Sequence, residues 1–187
     1  MSGLLSSHRV VSLVGVGGVG KTRLALSVAR AAVADIPDGI WLVELGPITD
    51  GELIPAAVAA SVGLAVSPRR PVIETLITSF GSSQVLLVLD NCEHLVQACA
   101  DLVERLVRAC AQLRVVATSR EPLGVPGEIS WQVYPLPTPD AAVTSPEQLA
   151  EFESIRLFVE RAQAALPSFV HSRSELAARA VELGLLR

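Results

Sequence analysis

The sequence is poor in three features that would each point to a familiar class of protein: paired cysteines, excess basic charge and long uncharged apolar runs. Its cysteines, Cys92, Cys99 and Cys110, show no C-x-x-C spacing and no paired histidines, so zinc and disulfide sites are disfavoured. The net charge of −4 gives no electrostatic footprint for nucleic acid. Residues 53–68 are uncharged, but proline and glycine interrupt them, and they fall short of the ~18–20 apolar residues of a membrane span. We therefore expect no direct contact of this chain with nucleic acid and no membrane insertion.

The composition does supply the material for a sizeable core. Half of the residues are hydrophobic and 18% are charged, which argues against disorder. A length of 187 residues suits one domain, or one domain with a fragment of another. Cys99 and Cys110 fall on the apolar face of a predicted helix, so we expect them to be small buried hydrophobic residues in a protein of the reducing cytoplasm.

The most informative stretch is residues 10–26, which read VVSLVGVGGVGKTRLAL. A β-branched apolar run meets a glycine-rich turn of the form G-x-x-x-x-G-K-T, and a helical pattern follows at once, which is the setting of a phosphate-binding loop. Glycines allow the backbone N–H groups to face an anion, and the helix adds the positive end of its dipole. Lys21 could reach the β- and γ-phosphates, and Thr22 could offer its hydroxyl to Mg²⁺. The candidate nucleotide-binding residues are Gly15, Val16, Gly17, Gly18, Val19, Gly20, Lys21, Thr22 and Arg23.

Two other interpretations of this stretch remain open at the level of sequence. A glycine-rich turn between a strand and a helix can be purely structural, although this does not explain Lys21 and Thr22. Gly15, Gly17 and Gly20 also match G-x-G-x-x-G, the dinucleotide fingerprint, and Glu44 ends the next apolar run as that fingerprint requires. The dinucleotide interpretation leaves the lysine, the threonine and Asp90 without a role.

Strand and helix patterns alternate along the first 137 residues. Strands are predicted at 10–14, 39–45, 84–90, 113–118 and 129–134, and helices at 22–34, 52–62, 72–80 and 95–110. Nearly all-apolar strands are typical of a sheet that helices cover on both faces. We therefore predict an α/β fold, a three-layer P-loop NTPase core over residues 1–137 with a mostly parallel five-stranded sheet.

A partial helical subdomain is predicted over residues 138–187, after a proline-rich exit. Pro146 and acidic residues indicate a helix that begins near Ser145. A last helix is predicted at residues 174–186. The apolar stripe of the first of these helices comprises Phe152, Ile155, Phe158, Ala162 and Ala165.

Polar side chains are predicted at the carboxyl edge of the sheet. Asp90 ends the run QVLLVLD, and in proteins with a phosphate loop an aspartate there holds the water shell of Mg²⁺, although alone it often only caps a turn. Glu93 is the nearby carboxylate that could orient an attacking water, or it is a first-turn residue favourable to a helix dipole. Arg120 follows the strand at 113–118, where it could read a γ-phosphate or be solvated. We assign His94 no catalytic role.

Four segments, in order, resemble the STAND class of P-loop ATPases: GVGGVGKTRLAL, LLVLDNCEHL, VVATSREPLGVPGE and IRLFVERA. More narrowly, they are similar to the NB-ARC-type switch module of large bacterial transcriptional regulators of the LuxR and SARP kind. The resemblance covers residues 10–165 and implies ATP and ADP binding, weak ATPase activity and a nucleotide-driven switch. By position it implies that Lys21 contacts phosphate, that Thr22 and Asp90 bind Mg²⁺, and that Arg120 senses the γ-phosphate. With Glu93, the residues Lys21, Asp90 and Arg120 form the candidate catalytic set.

Members of this class usually carry a segment before the first strand that helps to cover the adenine, and a winged helix after the last helix. Here nine residues precede Val10 and the chain ends at Arg187, so we expect a truncated module. Its partners would be nucleotide and other domains or proteins of a larger regulator, and they could include a nucleotide-dependent oligomer. The alternative is a degenerate interaction module that keeps the fold without hydrolysing ATP.

Overall fold

The computed structural model describes residue 5, residues 7–139 and residues 145–165. The chain divides into two compact units, Met1–Tyr134 and Pro135–Arg187. Within the described residues no helix is both long and apolar enough to cross a membrane.

The first unit is built on a five-stranded sheet in the order β2-β3-β4-β1-β5, in which every neighbouring pair is parallel. Its strands arise from short apolar runs, and they begin and end within three residues of the predicted positions. Because all strands run the same way, their carboxyl ends meet at one edge, where ligands bind in open α/β sheets. The strands are β1 Val10–Val14, β2 Ile40–Glu44, β3 Leu86–Asp90, β4 Arg114–Ser119 and β5 Glu128–Gln132.

Helices cover both faces of the sheet. Leu87 and Leu89 point to a core shared with the helices α2, α3 and α4, whereas Leu86 and Val88 point to a second core beneath α1, as the two-residue period of a strand requires. The three-layer α/β fold predicted from the sequence is thereby confirmed. The helices are α1 Lys21–Ala31, α2 Ile54–Val62, α3 Val72–Phe80 and α4 Val96–Ala109.

Two helix boundaries differ from the prediction by more than one residue. The first helix ends at Ala31 rather than at residue 34, because residues 32–35 form turns in which Asp35 N–H bonds to the Ala32 carbonyl. The second begins as a 3₁₀ turn, Gly51–Leu53, in which the Asp50 side chain accepts the Glu52 N–H. In both places local hydrogen bonds outweigh the apolar pattern.

All three cysteines are free and buried within the larger core. The neighbouring thiol of Cys99 and burial together hold the pKa of Cys92 far above its ordinary value, and burial raises the pKa of Cys110. Cys99 and Cys110 are buried, as predicted, although Cys110 lies directly after the last residue of α4 rather than within it.

In the second unit, the helix predicted from Ser145 is two helices, α5 Pro146–Leu149 and α6 Glu153–Ala165. Turn hydrogen bonds at residues 151 and 152 separate them. Leu149, Ile155 and Val159 are buried, and Phe152, Phe158 and Ala162 pack against them. The sequence stripe thus missed Val159. The helix predicted at residues 174–186 lies outside the described residues.

Candidate phosphate-binding site

The glycine-rich loop joins β1 to α1 at the carboxyl edge of the sheet. Gly18 and Gly20 have φ values of 78° and 95°, a left-handed conformation that side chains disfavour. Gly15 is required for a different reason, since a Cβ there would lie 2.6 Å from the Val133 carbonyl oxygen. Backbone geometry by itself therefore favours glycine at these three positions of the loop.

Lys21 is the first residue of α1 and its side chain folds back over the loop. Its Nζ donates to the carbonyl oxygens of Gly15 at 2.9 Å and of Val16 at 3.1 Å. The residue is only 8% exposed, and no carboxylate of the described residues lies within 4.0 Å of its ammonium. Because no neighbouring carboxylate among these residues occupies it, this side chain can form a charge-assisted hydrogen bond with an incoming anion.

A carboxylate and two hydroxyls meet beside the loop. Thr22 Oγ1 donates to Asp90 Oδ1 at 2.7 Å, and Thr118 Oγ1 donates to the same oxygen at 2.6 Å. Thr118 comes from β4, which lies between the strands that carry the loop and Asp90. It also accepts the backbone N–H of Asn91, so the carboxylate is held from the neighbouring strand.

These groups fit Mg²⁺. The ion takes hard oxygen ligands at about 2.0–2.1 Å in an octahedron, which sets neighbouring ligand oxygens roughly 2.9 Å apart. The 2.7 Å between Thr22 Oγ1 and Asp90 Oδ1 is close to that spacing.

Across the loop, Arg120 pairs with Glu93. Arg120 Nε donates to Glu93 Oε1 at 3.1 Å, and Nη2 lies 3.6 Å from the position of a Cβ on Gly17. With its nitrogen turned towards Glu93, the Asn91 amide lies 3.2 Å and 3.3 Å from the two carboxylate oxygens. Asn91 can lie there because its backbone is left-handed, with a φ of 66°, which asparagine tolerates better than most residues.

Most of the predicted site residues line one cavity of about 370 Å³. Asn91 and Thr118, which sequence reasoning missed, line it as well. The signal for Thr118 was a hydroxyl residue at the end of an apolar strand. Gly15, Val16, Val19 and Asp90 lie outside the lining. The predicted residues that line the cavity are Gly17, Gly18, Gly20, Lys21, Thr22, Arg23, Glu93 and Arg120.

His94 points elsewhere, with Nε2 2.7 Å from the Ile48 carbonyl oxygen. A slightly larger cavity of about 410 Å³ lies at residues 50–55 and α4, and none of the predicted site residues line it.

The strand order argues against the dinucleotide interpretation. In the dinucleotide fold the second strand lies beside the first, so its acidic end can reach the ribose. Here β1 is flanked by β4 and β5, and β2 lies at the far edge of the sheet. Glu44 is in register with Asp90 rather than with the loop strand.

Two curated mycobacterial proteins match most of this chain. No family model matches the chain. A Mycobacterium tuberculosis protein named "Putative HTH-type transcriptional regulator" is 42% identical over 178 residues, 95% of this chain. A second protein of this organism, named as uncharacterized, is 36% identical over 160 residues, 86% of the chain. The chain spans only 19% and 38% of the lengths of these two relatives.

Comparison with solved structures concerns the fold alone. The Aeropyrum pernix ORC2 protein, solved as ADPNP–ADP complexes, matches with a TM-score of 0.51 at 13% identity. The match spans 96% of this chain and 64% of the ORC2 chain. A chain of Drosophila ORC bound to DNA matches with a TM-score of 0.52 at 14% identity. This match spans 84% of the present chain and 44% of the Drosophila chain. Together with the sheet order and the loop, these matches show the fold of a P-loop ATPase domain.

Proposed function

We propose that this chain is an ATP- and ADP-binding switch module with weak ATPase activity, and that it forms part of a bacterial transcriptional regulator. The observation that carries the proposal is Lys21, a buried ammonium at the start of α1 whose hydrogen-bond partners, among the residues that the structure describes, are two carbonyl oxygens of its own loop. The glycine-rich loop directly precedes it, and no side chain of the described residues caps the first turn of α1. Such an arrangement stabilises the phosphates of a nucleotide.

The neighbouring side chains have separate roles in the proposed site. Lys21 exchanges its carbonyl partners for the β- and γ-phosphates. Thr22 and Asp90 hold Mg²⁺, which neutralises phosphate charge when it is bound, and Thr118 fixes the Asp90 carboxylate in advance. Arg120 reads the γ-phosphate, so that its environment differs between the ATP and ADP states.

The comparisons support the wider assignment. The 42% identity to a relative named as a transcriptional regulator favours a module of a larger regulator, with other domains of that protein as partners. The ADPNP and ADP of the ORC2 structure favour adenine nucleotides as ligands of this fold. The segments quoted above favour, more narrowly, an NB-ARC-like module of the LuxR or SARP kind.

The test is a titration of the purified chain with fluorescent ATP and ADP, with and without Mg²⁺, beside Lys21→Ala. The substitution removes a charged contact worth ~1.5–3 kcal/mol, so we expect a loss of affinity of roughly 10–150-fold. Arg30→Ala is the matched control, because it removes the same charge from the exposed last turn of the same helix. If Lys21→Ala bound both nucleotides as tightly as the parent, the assignment of the loop would be wrong.

A second candidate function is a module that binds nucleotide without hydrolysing it. The observation that favours it is Glu93, whose carboxylate is already engaged by Arg120 and lies beside the Asn91 amide. Asn91 itself stands directly after Asp90, where it offers no carboxylate. Release of phosphate that needs Mg²⁺ and is lost in Asp90→Ala would favour the ATPase. Nucleotide binding without turnover would favour the second candidate.

A further inference from the structure

Glu93 is the fixed member of the pair that it forms with Arg120. It lies in the 3₁₀ turn Cys92–His94, its side chain is 17% exposed, and the Asn91 amide lies against both of its carboxylate oxygens. The Arg120 side chain is 67% exposed. A long exposed arginine has many rotamers, so its position depends on the partner that holds it.

The pair leaves most of the guanidinium available. An arginine has five N–H donors, and Arg120 uses only Nε for Glu93. Within the part of the chain that the structure describes, Nη1 and Nη2 have no acceptor. Nη2 lies beside Gly17 of the loop, so the two terminal nitrogens of Arg120 border the cavity that would bind the phosphates. A planar fork of this kind suits phosphate oxygens.

We propose that Glu93 is a positioning residue, which holds Arg120 with its free N–H groups beside the loop and thereby sets the preference of the site for ATP over ADP. The inference rests on the proposed function. ADP lacks the γ-phosphate, so the placement of Arg120 matters for ATP alone. This role differs from the activation of water, which would leave the binding preference unchanged.

Removal of the Glu93 charge should change the affinity for ATP only modestly, because the ion pair between Glu93 and Arg120 is partly exposed. Without Glu93, Arg120 is beside the loop in only a fraction of the molecules, and the apparent affinity for ATP falls by that fraction. For an ion pair of ordinary surface strength this is about two- to sixfold. Glu93→Gln is the suitable variant, since it keeps the shape and one acceptor oxygen and removes the charge.

The experiment measures the dissociation constants of ATP and ADP for the full chain in the presence of Mg²⁺, and compares their ratio. Loss of a negative charge near phosphate favours ATP, the more highly charged ligand, at least as much as ADP, so a fall in the preference for ATP can come only from the placement of Arg120. We expect the preference for ATP to fall two- to sixfold in Glu93→Gln. In an Arg120→Ala background the same substitution should not lower the preference for ATP. Glu121→Gln is the control, because it removes a charge from the exposed neighbour of Arg120.

The possible outcomes distinguish a failure of the proposed nucleotide binding from a failure of the role proposed for Glu93. If the parent bound neither nucleotide, the proposed function would fail and this inference would fall with it. If the parent bound both and Glu93→Gln kept or increased the preference for ATP, only the inference would be refuted. An unchanged preference with lost turnover would assign Glu93 to the activation of water instead. Thermal melting of each variant, together with retained ADP binding, confirms that the fold is intact.

Discussion

The close approach at Gly15 provides a sharp test of how the loop is held, and the perturbation is Gly15→Ala. An added Cβ would lie 2.6 Å from the Val133 carbonyl oxygen and 3.2 Å from Val19 Cγ1. Ordinary contact begins at 3.4 Å, so the two backbone segments would have to separate by about 0.8 Å. The φ of Gly15 is outside the left-handed region, so the expected destabilisation comes from steric contact and not from backbone strain.

The backbone around Gly15 cannot relax freely. Gly15 N–H bonds to the Ser119 carbonyl at 3.2 Å, and Val133 N–H bonds to the Val14 carbonyl at 2.7 Å. Both segments are therefore fixed to strands of the sheet. Overpacking at such a site destabilises by about 1–3 kcal/mol. For a chain of this size, each kcal/mol lowers Tm by about 2–4 °C.

The assay is urea and thermal unfolding, followed by far-ultraviolet circular dichroism. Gly17→Ala is the matched control, because its Cβ would meet only Arg120 Nη2, at 3.6 Å, and its φ is not left-handed. We expect Gly17→Ala to be neutral or to stabilise by up to about 1 kcal/mol through loss of freedom in the unfolded chain. The reasoning would be refuted if Gly15→Ala were as stable as Gly17→Ala.

Three further predictions concern stability. Arg9→Ala removes a hydrogen bond of 2.8 Å from Nη1 to the Val107 carbonyl near the end of α4, and it should lower the free energy of unfolding in urea by about 1–2 kcal/mol. Arg108→Ala, which removes one partner of an exposed ion pair, should lower it by less than about 0.5 kcal/mol. Glu128→Ala frees three backbone N–H groups, those of residues 123–125, and should cost about 1.5–3 kcal/mol, so an unchanged urea midpoint would contradict it. Burial raises the pKa of the Cys110 thiol, so the unfolded state loses this proton first and stability should fall above about pH 8.5, by up to ~1.4 kcal/mol per pH unit. A Cys110→Ala variant whose urea midpoint falls between about pH 8 and pH 10 as much as that of the parent would refute this.

Much of the fold was predictable because its elements rest on local signals. Strand β3 is a run of apolar residues that ends in Asp90, and α3 has the bounds that its apolar period indicates. The end of α1 and the break between α5 and α6 were not predictable in the same way. In both places the apolar pattern continues, while turn hydrogen bonds end the helix.

Part of the candidate site was predictable from the sequence. The contacts that depend on the order of the strands in the sheet were not. Lys21 and Thr22 belong to a contiguous motif, and Asp90 ends a strand of a parallel sheet, so their positions follow from the sequence. Thr118 acquires its contact only because β4 lies between β1 and β3, an order that no local pattern encodes. The pairing of Glu93 with Arg120 joins residues 27 apart in sequence and depends on the same order.

The contact between Gly15 and Val133 also has a mechanical consequence. Val133 lies one residue before Tyr134, the last residue of the first unit, and the sequence continues as Pro-Leu-Pro-Thr-Pro. Prolines at alternate positions make a stiff, extended segment rather than a flexible linker. The segment therefore begins two peptide bonds from Val133, whose carbonyl oxygen packs against the first glycine of the loop and whose N–H bonds to the end of β1, so the loop and this exit of the first unit share one anchoring point.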